Sequence, residues 1–393
     1  MMEFTINSVS ARLHQKLREY IEAQYPISHP SLLLERRELL DSPGVISKEP
    51  YIEATPVYEL GPAYEQMNLP AHCKEAMTYF SELSPSVGIY KRPYVHQQEA
   101  LESFLVDGHD LVVATGTGSG KTESFLHPIL NSLIDEGFNR REQFQTHAVR
   151  ALILYPMNAL VSDQITRLRQ LSGDERVSKY FRDHFGRHPL FGMYTSRTPY
   201  PGERTKEKDD YQLKEIIDYY LDIEKNRPQL ALEMKKRGKW IAKNLTNFRS
   251  GKRGDWKSRY LTSPDDRELF TRHEMQTTPP DILVTNYSML EYMLMRPIER
   301  PIWEKTRQWL AEDEANTLIL VLDEAHMYRG TSGAEVALLI RRLQARLGIT
   351  RDRLRCILTS ASLGAEDDDS AAIEFAEQLT GKLKKRSFKL IKG

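Results

Sequence analysis

The chain has 393 residues, 40% of them hydrophobic and 28% charged, and its 55 lysines and arginines balance its 55 aspartates and glutamates. This composition is typical of a soluble globular protein, and the length predicts about two or three domains. No apolar run approaches the ~18 residues of a membrane-spanning helix, and the N-terminal residues lack the basic and apolar stretches of a secretory signal. The only cysteines, Cys73 and Cys356, cannot form a four-cysteine zinc site. So few cysteines predict a reducing, cytoplasmic compartment, without membrane association.

Residues 1–85 are predicted to form a mostly helical N-terminal extension. The stretch VSARLHQKLREYIEAQ is amphipathic, and the segment shows no pattern typical of strands.

An α/β domain is predicted for residues 86–393. Near-continuous apolar runs are typical of parallel strands that are buried on both faces. Such runs are DLVVAT (110–115), RALILYP (150–156), DILVTN (281–286), TLILVLDE (317–324) and RCILTSAS (355–362). Helical patterns follow most of them, at 122–133, 158–171, 288–295 and 333–347. This alternation predicts a doubly wound parallel sheet.

Residues from about 197 to 280 interrupt the alternation of strands and helices. They are far longer than an ordinary connection, and they are charged and compatible with helices, as in YQLKEIIDYYLDIEKN. We interpret them as a helical insertion carried by the α/β domain.

A glycine-rich stretch, TGTGSGKT (115–122), lies between the first predicted strand and the helix that follows it. This is the setting that a phosphate-binding loop requires. Its three glycines let the backbone approach phosphate groups, whose charge the N–H groups of the loop and the helix N-terminus stabilise. Lys121 would reach the β- and γ-phosphates, and the Thr122 hydroxyl would hold Mg²⁺. The stretch therefore predicts ATP and Mg²⁺ as cofactors.

The strand in VLDEAH (321–326) ends in two carboxylates, which phosphoryl transfer needs opposite such a loop. Asp323 would bind Mg²⁺, directly or through water, and Glu324 would orient and deprotonate the attacking water. Lys121, Asp323 and Glu324 are therefore candidate catalytic residues, and Thr122 and Asp323 are candidate metal ligands.

Together, TGTGSGKT and DEAH resemble the DEAD/DEAH-box helicases of superfamily two, whose first RecA-like domain carries both motifs. The first loop position of that family is often a small residue, so Thr115 fits the pattern. RPYVHQQ (92–98) resembles the Q motif of the family, in which Gln97 would bind the adenine edge and Tyr90 or Tyr94 could stack on the base. An ordinary glutamine at a helix start is the alternative. The resemblance implies a set of nucleotide-binding residues: Tyr94, Gln97, Thr115, Gly116, Thr117, Gly118, Ser119, Gly120, Lys121, Thr122, Glu123 and His326.

Further stretches resemble the motifs that respond to nucleotide and to nucleic acid. LTSASL (358–363) resembles motif III, in which Ser360, Ala361 and Ser362 would relay the state of the nucleotide to a second domain. YPMNALVSDQ (155–164) resembles motif Ia, and residues 285–287 match a later nucleic-acid motif. The resemblance implies contacts to the nucleic-acid backbone from Asn158, Ser162, Gln164, Thr285 and Asn286. The alternative is that these polar residues cap the helices that follow them.

A basic and aromatic segment lies inside the insertion. Between Met234 and Tyr260 there are ten lysines and arginines and one acidic residue, with two tryptophans, a phenylalanine and a tyrosine among them. Cations supply affinity for phosphates and aromatic rings stack on unpaired bases. The candidate nucleic-acid contacts are Lys235, Lys236, Arg237, Trp240 and Arg253. In the alternative interpretation the segment is a charged helix whose aromatic side chains dock on the α/β core.

Four longer stretches resemble the large bacterial helicases of phage-defence systems of the Druantia and DISARM type and, more distantly, the mitomycin-repair helicases. They are VATGTGSGKTESFLHPIL, LYPMNALVSDQITRL, TRHEMQTTPPDILVTNYSMLEYMLMR and LDEAHMYRGTSGAEVALLIRRL. This resemblance implies an ATP-dependent DNA helicase or translocase in anti-phage defence. Its partners would be DNA, either single-stranded or a duplex with a single-stranded end, and a partner protein of the defence system.

No motif of a second RecA-like domain follows LTSAS. In the family that domain completes the ATP site and supplies an arginine finger. We therefore expect the chain to bind ATP and DNA, and to hydrolyse ATP only weakly until a second RecA-like domain, in the same or another chain, completes it. Two alternatives stay open: a nucleotide-dependent platform for nucleic acid or protein without motor activity, and one half of an RNA helicase.

Overall fold

The computed structural model describes residues 5–51, 57–116, 118–251, 255–361, 369–382 and 388–393. Contacts divide the chain into two compact units, Met1–Val57 and Tyr58–Gly393. The described part of the first unit has two helices, α1 (Ile6–Gln24) and α2 (Pro30–Asp41). The Thr5 side chain accepts a hydrogen bond from the Ser8 backbone N–H at 3.2 Å, which caps the start of α1. A helix is therefore present where the amphipathic stretch predicted one.

The second unit is built on one eight-stranded sheet. Its strands are β1 (Asp110–Ala114), β2 (Ala151–Tyr155), β3 (Phe191–Tyr194), β4 (Glu268–Leu269), β5 (Ile282–Asn286), β6 (Leu318–Leu322), β7 (Leu354–Ser360) and β8 (Phe388–Lys392). The strand order is β4-β3-β5-β2-β6-β7-β1-β8, and every pairing is parallel. The predicted doubly wound parallel sheet is thus confirmed.

Three strands were not predicted. β3 and β4 have only four and two residues, too few for an apolar run to stand out. Residues 388–392 form β8, which pairs with all five residues of β1. Phe388 and Ile391 are buried there. The basic residues between and beside them interrupt the apolar pattern, so the sequence did not indicate a strand.

The helices of the second unit connect these strands. They are α3 (Ala71–Glu82), α4 (Val95–Leu105), α5 (Glu123–Asn139), α6 (Arg141–Gln145), α7 (Asn158–Leu171), α8 (Glu175–Phe185), α9 (Lys206–Lys208), α10 (Glu215–Asn226), α11 (Pro228–Lys236), α12 (Leu245–Arg249), α13 (Arg272–Thr277), α14 (Tyr287–Met295), α15 (Arg300–Glu312), α16 (Gly330–Leu347) and α17 (Asp369–Thr380). A π-helical turn, Asp209–Lys214, leads into α10.

The two faces of the sheet bury separate cores. In β1, Leu111 and Val113 join the core that includes α3, α4, α5, α7 and α8, whereas Val112 joins the core that includes α14 to α17. This alternation is the ordinary two-residue period of a strand. Because the strands are parallel, the loops after β1, β2, β3, β5, β6 and β7 all leave from one edge of the sheet.

The insertion has a hydrophobic core of its own, distinct from the two cores of the sheet. It is formed by Tyr200, Leu213, Ile217, Ile223, Ala231, Trp240, Ile241, Leu245, Phe248 and Tyr260. Residues before the predicted domain start also pack: Tyr64, Cys73, Met77 and Phe80 are buried in the core that contains α5. Residues 58–85 therefore pack as part of the second unit, although the sequence had suggested a boundary after residue 85.

Candidate nucleotide site

The loop after β1 curves over the start of α5. Gly118 and Gly120 have φ angles of +79° and +77°, in the left-handed region that glycine favours. Ser119 Oγ lies 2.7 Å from Thr115 Oγ1 and 2.9 Å from Gly116 O, so the loop is held by its own hydrogen bonds. Thr117 lies outside the described residues.

Two side chains of helix α4 lie within hydrogen-bond distance of carbonyl groups in this loop. Gln97 Nε2 donates to Gly120 O at 3.0 Å, and Gln97 Oε1 accepts from the Tyr94 backbone N–H at 3.0 Å. The neighbouring His96 Nε2 lies 3.0 Å from Ser119 O. A Cβ at Gly120 would lie 2.3 Å from Gln97 Nε2. Glycine at position 120 therefore permits the contact with Gln97.

Lys121 and Glu324 face each other across the site. Lys121 Nζ lies 3.7 Å from Glu324 Oε1. This nitrogen is buried and has no hydrogen-bond partner among the described residues. Glu324, the second residue after β6, has a φ of +50°, in the left-handed region. A buried ammonium group without a hydrogen bond, beside a loop lined by glycine, fits a phosphate group.

Asp323 is held at the end of β6. The Thr359 hydroxyl and the Glu324 backbone N–H both donate to Asp323 Oδ1, the latter at 3.0 Å. Burial raises the pKa of Asp323, and the hydrogen bond from Thr359 offsets this only in part. The sequence analysis gave Thr359 no role, although it lies inside the stretch LTSASL (358–363), and a hydroxyl residue inside an apolar strand was an available signal. Carboxylate and hydroxyl oxygens of the kind that Asp323 and Thr122 supply suit Mg²⁺.

Motif III lies between the phosphate loop and the DEAH residues. Ser360 is paired with Ala114 in β1, and its carbonyl accepts from the Thr115 N–H at 3.3 Å. Ser360 Oγ lies 3.1 Å from His326 Nδ1, which is also 3.4 Å from Glu324 Oε2. Ala361 directly follows β7, and Ser362 lies outside the described residues.

Polar residues from three loops meet at the carboxyl edge of the sheet. The Asn286 side chain donates to Asn158 Oδ1, and Asn158 Nδ2 donates to Ser196 Oγ at 3.2 Å. Asn286 also caps α14, because its Oδ1 accepts from the Met289 N–H at 2.7 Å. The Thr285 hydroxyl is buried and donates to the Tyr194 carbonyl. The loops after β2, β3 and β5 are thus joined by side-chain hydrogen bonds.

Gln164 and Ser162 lie further along α7. Gln164 is only 7% exposed, and its Nε2 donates to Thr122 Oγ1 at 3.3 Å. The structure therefore brings this residue to the phosphate loop, whereas the sequence analysis had grouped it with the nucleic-acid contacts. Ser162 is half-buried, and its carbonyl accepts from the Thr166 hydroxyl.

A cavity of about 490 Å³ opens beside the phosphate loop, between the segment 85–90, the first turns of α5, and α7. Tyr90, which is exposed, Glu123 and His127 line it, and Glu123 is paired with Arg167. His127 is buried, which lowers its pKa to about 4. Its Nδ1 has no hydrogen-bond partner within the described part of the chain.

The basic segment of the insertion separates into exposed cations and buried rings. Lys235, Lys236 and Arg237 are exposed at the end of α11. The Trp240 ring is only 8% exposed and packs edge-on against Tyr220 at 5.1 Å between ring centroids. Such burial favours the alternative in which this ring packs in a core rather than stacking on a base. The ring packs in the core of the insertion itself, not on the α/β core. Arg253 lies outside the described residues.

A cleft of about 1050 Å³ separates the insertion from α7 and α8. Lys235 and Lys236 line it from one side and Lys179 and Arg182 from the other. Carboxylates line it as well, among them Glu224, which pairs with Lys235 at 2.8 Å, and Asp265, which lies 3.5 Å from Arg182.

In the ranges that the structure describes, no helix combines the length and the apolar character that crossing a bilayer would need. Both cysteines are buried and unpaired.

Comparisons with known proteins agree with these motifs. The profile of the DEAD/DEAH box helicase family matches residues 94–187 and 229–369. The chain is 49% identical over 409 residues to the Druantia protein DruE of Escherichia coli (strain UMEA 4076-1), a match that covers 99% of this chain and 22% of that protein. It is 22% identical over 283 residues to the ATP-dependent helicase MJ1574 of Methanocaldococcus jannaschii, covering 72% of this chain and 27% of that protein. The chain therefore spans only about a quarter of the length of these relatives.

Solved structures of helicases are also similar. The DUF1998 helicase MrfA bound to DNA and AMPPNP has 19% sequence identity and a TM-score of 0.43, with 85% of this chain and 30% of that chain covered. The helicase Lhr of Mycobacterium smegmatis bound to ssDNA and AMP-PNP has 18% identity and a TM-score of 0.45, with 83% of this chain and 28% of that chain covered. The family profile spans more than half of the chain, and the chain belongs to the DEAD/DEAH box helicase family.

Proposed function

We propose that this chain is the ATP-binding and DNA-binding first half of an ATP-dependent DNA helicase or translocase in anti-phage defence. The observation that carries the proposal is the approach of Lys121 and Glu324, 3.7 Å apart, between the phosphate loop and the end of β6. The 49% identity to a Druantia protein supports the role in defence.

Each residue around the phosphate loop would have a separate role in ATP hydrolysis. Lys121 would exchange its ion pair with Glu324 for the β- and γ-phosphates. Thr122 and Asp323 would hold Mg²⁺, which when bound neutralises phosphate charge. Glu324 would then be free to orient the attacking water and accept its proton. His326 lies within hydrogen-bond distance of Ser360. A movement of His326 that follows this change would therefore alter its contact with Ser360.

The adenine base would lie beside α4 and the cavity at Tyr90. Both polar atoms of the Gln97 side chain already bind the protein, but a side-chain amide has a second N–H and a second lone pair for the base. Tyr94 or Tyr90 would stack on the ring. Glu123 and the loop residues Thr115, Gly116, Thr117, Gly118, Ser119 and Gly120 would surround the sugar and the phosphates.

DNA would cross the edge at which the loops after β2, β3 and β5 meet. The side chains of Asn158, Asn286 and Ser196 form a connected hydrogen-bonded group there, in which Ser196 is exposed and Asn286 is buried. Polar groups of this kind contact the backbone without reading sequence. Ser162 and Thr285 would support this edge. Lys235, Lys236 and Arg237, with Arg253, would add phosphate contacts from the insertion. DNA is preferred to RNA on the resemblance of the sequence to DNA helicases.

Hydrolysis would require a second RecA-like domain, in the same or another chain, because the arginine finger comes from that domain in the family. Ala361 and Ser362 would pass the nucleotide state toward it. A defence-system protein would be a further partner, and the compartment would be the cytoplasm. The alternative function is a nucleotide-dependent platform that holds nucleic acid or protein without motor activity, or one half of an RNA helicase.

The test measures binding rather than turnover. Affinity for a non-hydrolysable ATP analogue with Mg²⁺ is measured by calorimetry for wild type, Lys121→Ala and Glu324→Gln, with the exposed lysine variant Lys206→Ala as the control. We expect Lys121→Ala to lose at least tenfold in affinity, which corresponds to about 1.4 kcal/mol. Glu324→Gln and the control should bind as wild type or more tightly. Equal affinity of Lys121→Ala and the control would overturn the nucleotide site.

A second titration uses matched DNA and RNA single strands. Asn158→Ala should weaken strand binding while nucleotide affinity stays as in wild type, because its side chain lies at the strand edge. Tighter binding of RNA than of DNA by wild type would favour the RNA helicase instead.

A further inference from the structure

We propose that Gln164 is a positioning residue that holds the metal-binding Thr122 and couples it, through α7, to the DNA-binding edge. This inference rests on the proposed function and adds to it the physical connection between the two sites. Gln164 touches neither the phosphates nor the strand in this scheme, and it acts through Thr122.

The contact between Gln164 and Thr122 is direct and buried. Gln164 Nε2 donates to Thr122 Oγ1 at 3.3 Å, and both side chains are less than one-tenth exposed. The other polar atom of Gln164, Oε1, is buried and has no hydrogen-bond partner among the described residues. A buried acceptor without a hydrogen bond destabilises the folded protein by about 1–3 kcal/mol. An amide that served only to fill the core would be better replaced by an apolar side chain.

The hydrogen-bonding capacity of Thr122 explains what the contact achieves. A hydroxyl group has one proton and two lone pairs. The bond from Gln164 occupies one lone pair, which leaves the other available to a cation that Thr122 would hold. The unpartnered Oε1 of Gln164 is an acceptor for a water molecule of the kind that Mg²⁺ retains when it binds. Gln164 thus prepares the hydroxyl as a metal ligand and offers a place for the hydration shell.

Helix α7 extends this contact to the DNA-binding edge. Asn158 is the first residue of α7 and is bonded to both Asn286 and Ser196. Gln164 lies six residues further on, a rise of ~9 Å along the helix axis. One turn later, Arg167 is paired with Glu123, the residue after Thr122. The helix therefore contacts the strand edge at its start and the phosphate-loop helix at two later points.

The consequence is a coupling that works in both directions. A shift of α7 that accompanies strand binding changes the position of Gln164, and with it the geometry of Thr122. By thermodynamic linkage, metal and nucleotide binding must then change strand affinity by the same factor. Removing the Gln164 contact should reduce this factor without removing either binding site.

The experiment compares Gln164→Met with Gln145→Met. Methionine keeps the length of glutamine but makes no strong hydrogen bond. Gln145 lies on α6, away from both proposed sites, and donates to the Phe185 carbonyl at 2.8 Å, so it controls for the loss of one amide bond. Affinity for a fluorescent ATP analogue is measured in EDTA and over a Mg²⁺ series. Affinity for a single DNA strand is measured with and without the Mg²⁺-bound analogue. Circular dichroism and melting temperature establish that each variant is folded.

For Gln164→Met we expect unchanged nucleotide affinity in EDTA, a rise of about fivefold in the Mg²⁺ concentration needed for half-maximal binding, and a nucleotide effect on DNA affinity reduced toward one. Gln145→Met should behave as wild type in all three. If Gln164→Met is not folded, Gln164→Asn, whose shorter amide cannot reach Thr122, should give the same pattern. The inference is overturned if Gln164→Met behaves as wild type, or if it loses nucleotide affinity equally with and without Mg²⁺. Absence of nucleotide or DNA binding by wild type would instead remove the proposed function as well.

Discussion

His127 is a neutral histidine buried one turn after the phosphate loop, and its position has a measurable consequence for stability. Burial lowers its pKa from 6.5 to about 4. In the unfolded chain the ring binds a proton below about pH 6.5, whereas in the folded chain it does so only near pH 4. The unfolded state therefore takes up more protons between these values. The contribution of His127 is fully present above pH 6.5 and is lost as the pH falls toward 4.

We predict that His127→Leu makes the protein less sensitive to acid. Between pH 7 and pH 5 the free energy of unfolding of wild type should fall by about 2 kcal/mol more than that of the variant. Urea unfolding at both pH values measures this, and the other histidines cancel because both proteins contain them. Parallel loss of stability in the two proteins would show that the ring is not neutral in the folded state.

At the scale of the secondary-structure elements, one ionic network joins β2, β5 and α5 at the edge opposite the phosphate loop. Asp281 is fully buried and binds Arg150 at 2.9 Å and Arg187 at 2.7 Å. Arg150 also binds Glu136 of α5 at 2.7 Å. Burial alone would raise the pKa of Asp281, but the two guanidinium groups outweigh it and lower the pKa to about 2. The network fixes the starts of two central strands.

We predict that Asp281→Asn destabilises the fold by about 3–5 kcal/mol, because it leaves buried guanidinium groups short of one negative charge. Asp265→Asn is the control, since Asp265 is 80% exposed and lies 3.5 Å from Arg182; it should cost no more than about 1 kcal/mol. Chemical denaturation of both variants at neutral pH measures the difference. Similar values for the two would mean that the buried carboxylate carries little of the stability of the sheet.

The insertion is the element whose exposed charges can be tested for DNA binding. Lys236 lines the cleft beside α8, and Lys206 is exposed elsewhere in the insertion. We predict that Lys236→Glu weakens single-strand binding and reduces the slope of log affinity against log salt by about one, whereas Lys206→Glu changes neither. Fluorescence anisotropy over a salt series measures both quantities. Indistinguishable slopes for the two variants would remove the cleft from the DNA path.

At the scale of the whole molecule, the described residues form one eight-stranded parallel sheet, and both carboxylates of the DEAH sequence follow β6 at its carboxyl edge. We predict that it binds ATP but turns it over at least about a thousandfold more slowly than a protein that also supplies the arginine finger. Steady-state hydrolysis with saturating single-stranded DNA, compared with the full-length Druantia relative, measures this. DNA-stimulated turnover by the chain at a rate like that of the relative would show that the site is completed without a second domain.

The helicase family and the sheet followed from local patterns. A phosphate loop needs glycines, lysine and threonine in consecutive positions between a strand and a helix. The two strands that lead into the phosphate loop and the DEAH residues, β1 and β6, were continuous apolar runs. The boundaries of α7 were predicted to the residue, because its periodic pattern was undisturbed. By contrast, β3, β4 and β8 are short or mixed with basic residues, and their strand character depends on the neighbours with which they pair.

What the sequence determined by itself was the set of chemical groups: Lys121, Thr122, Asp323 and Glu324, and the order of the elements that carry them. Only the tertiary structure decided which side chains meet. Gln164 lies at Thr122, Thr359 donates to Asp323, and Trp240 is enclosed by the insertion. The contacts of Gln164 and Thr359 join residues 42 and 36 positions apart, and no local pattern encodes them. They arise because the parallel strands bring distant loops to one edge, and because a buried ring or amide is placed by the packing around it.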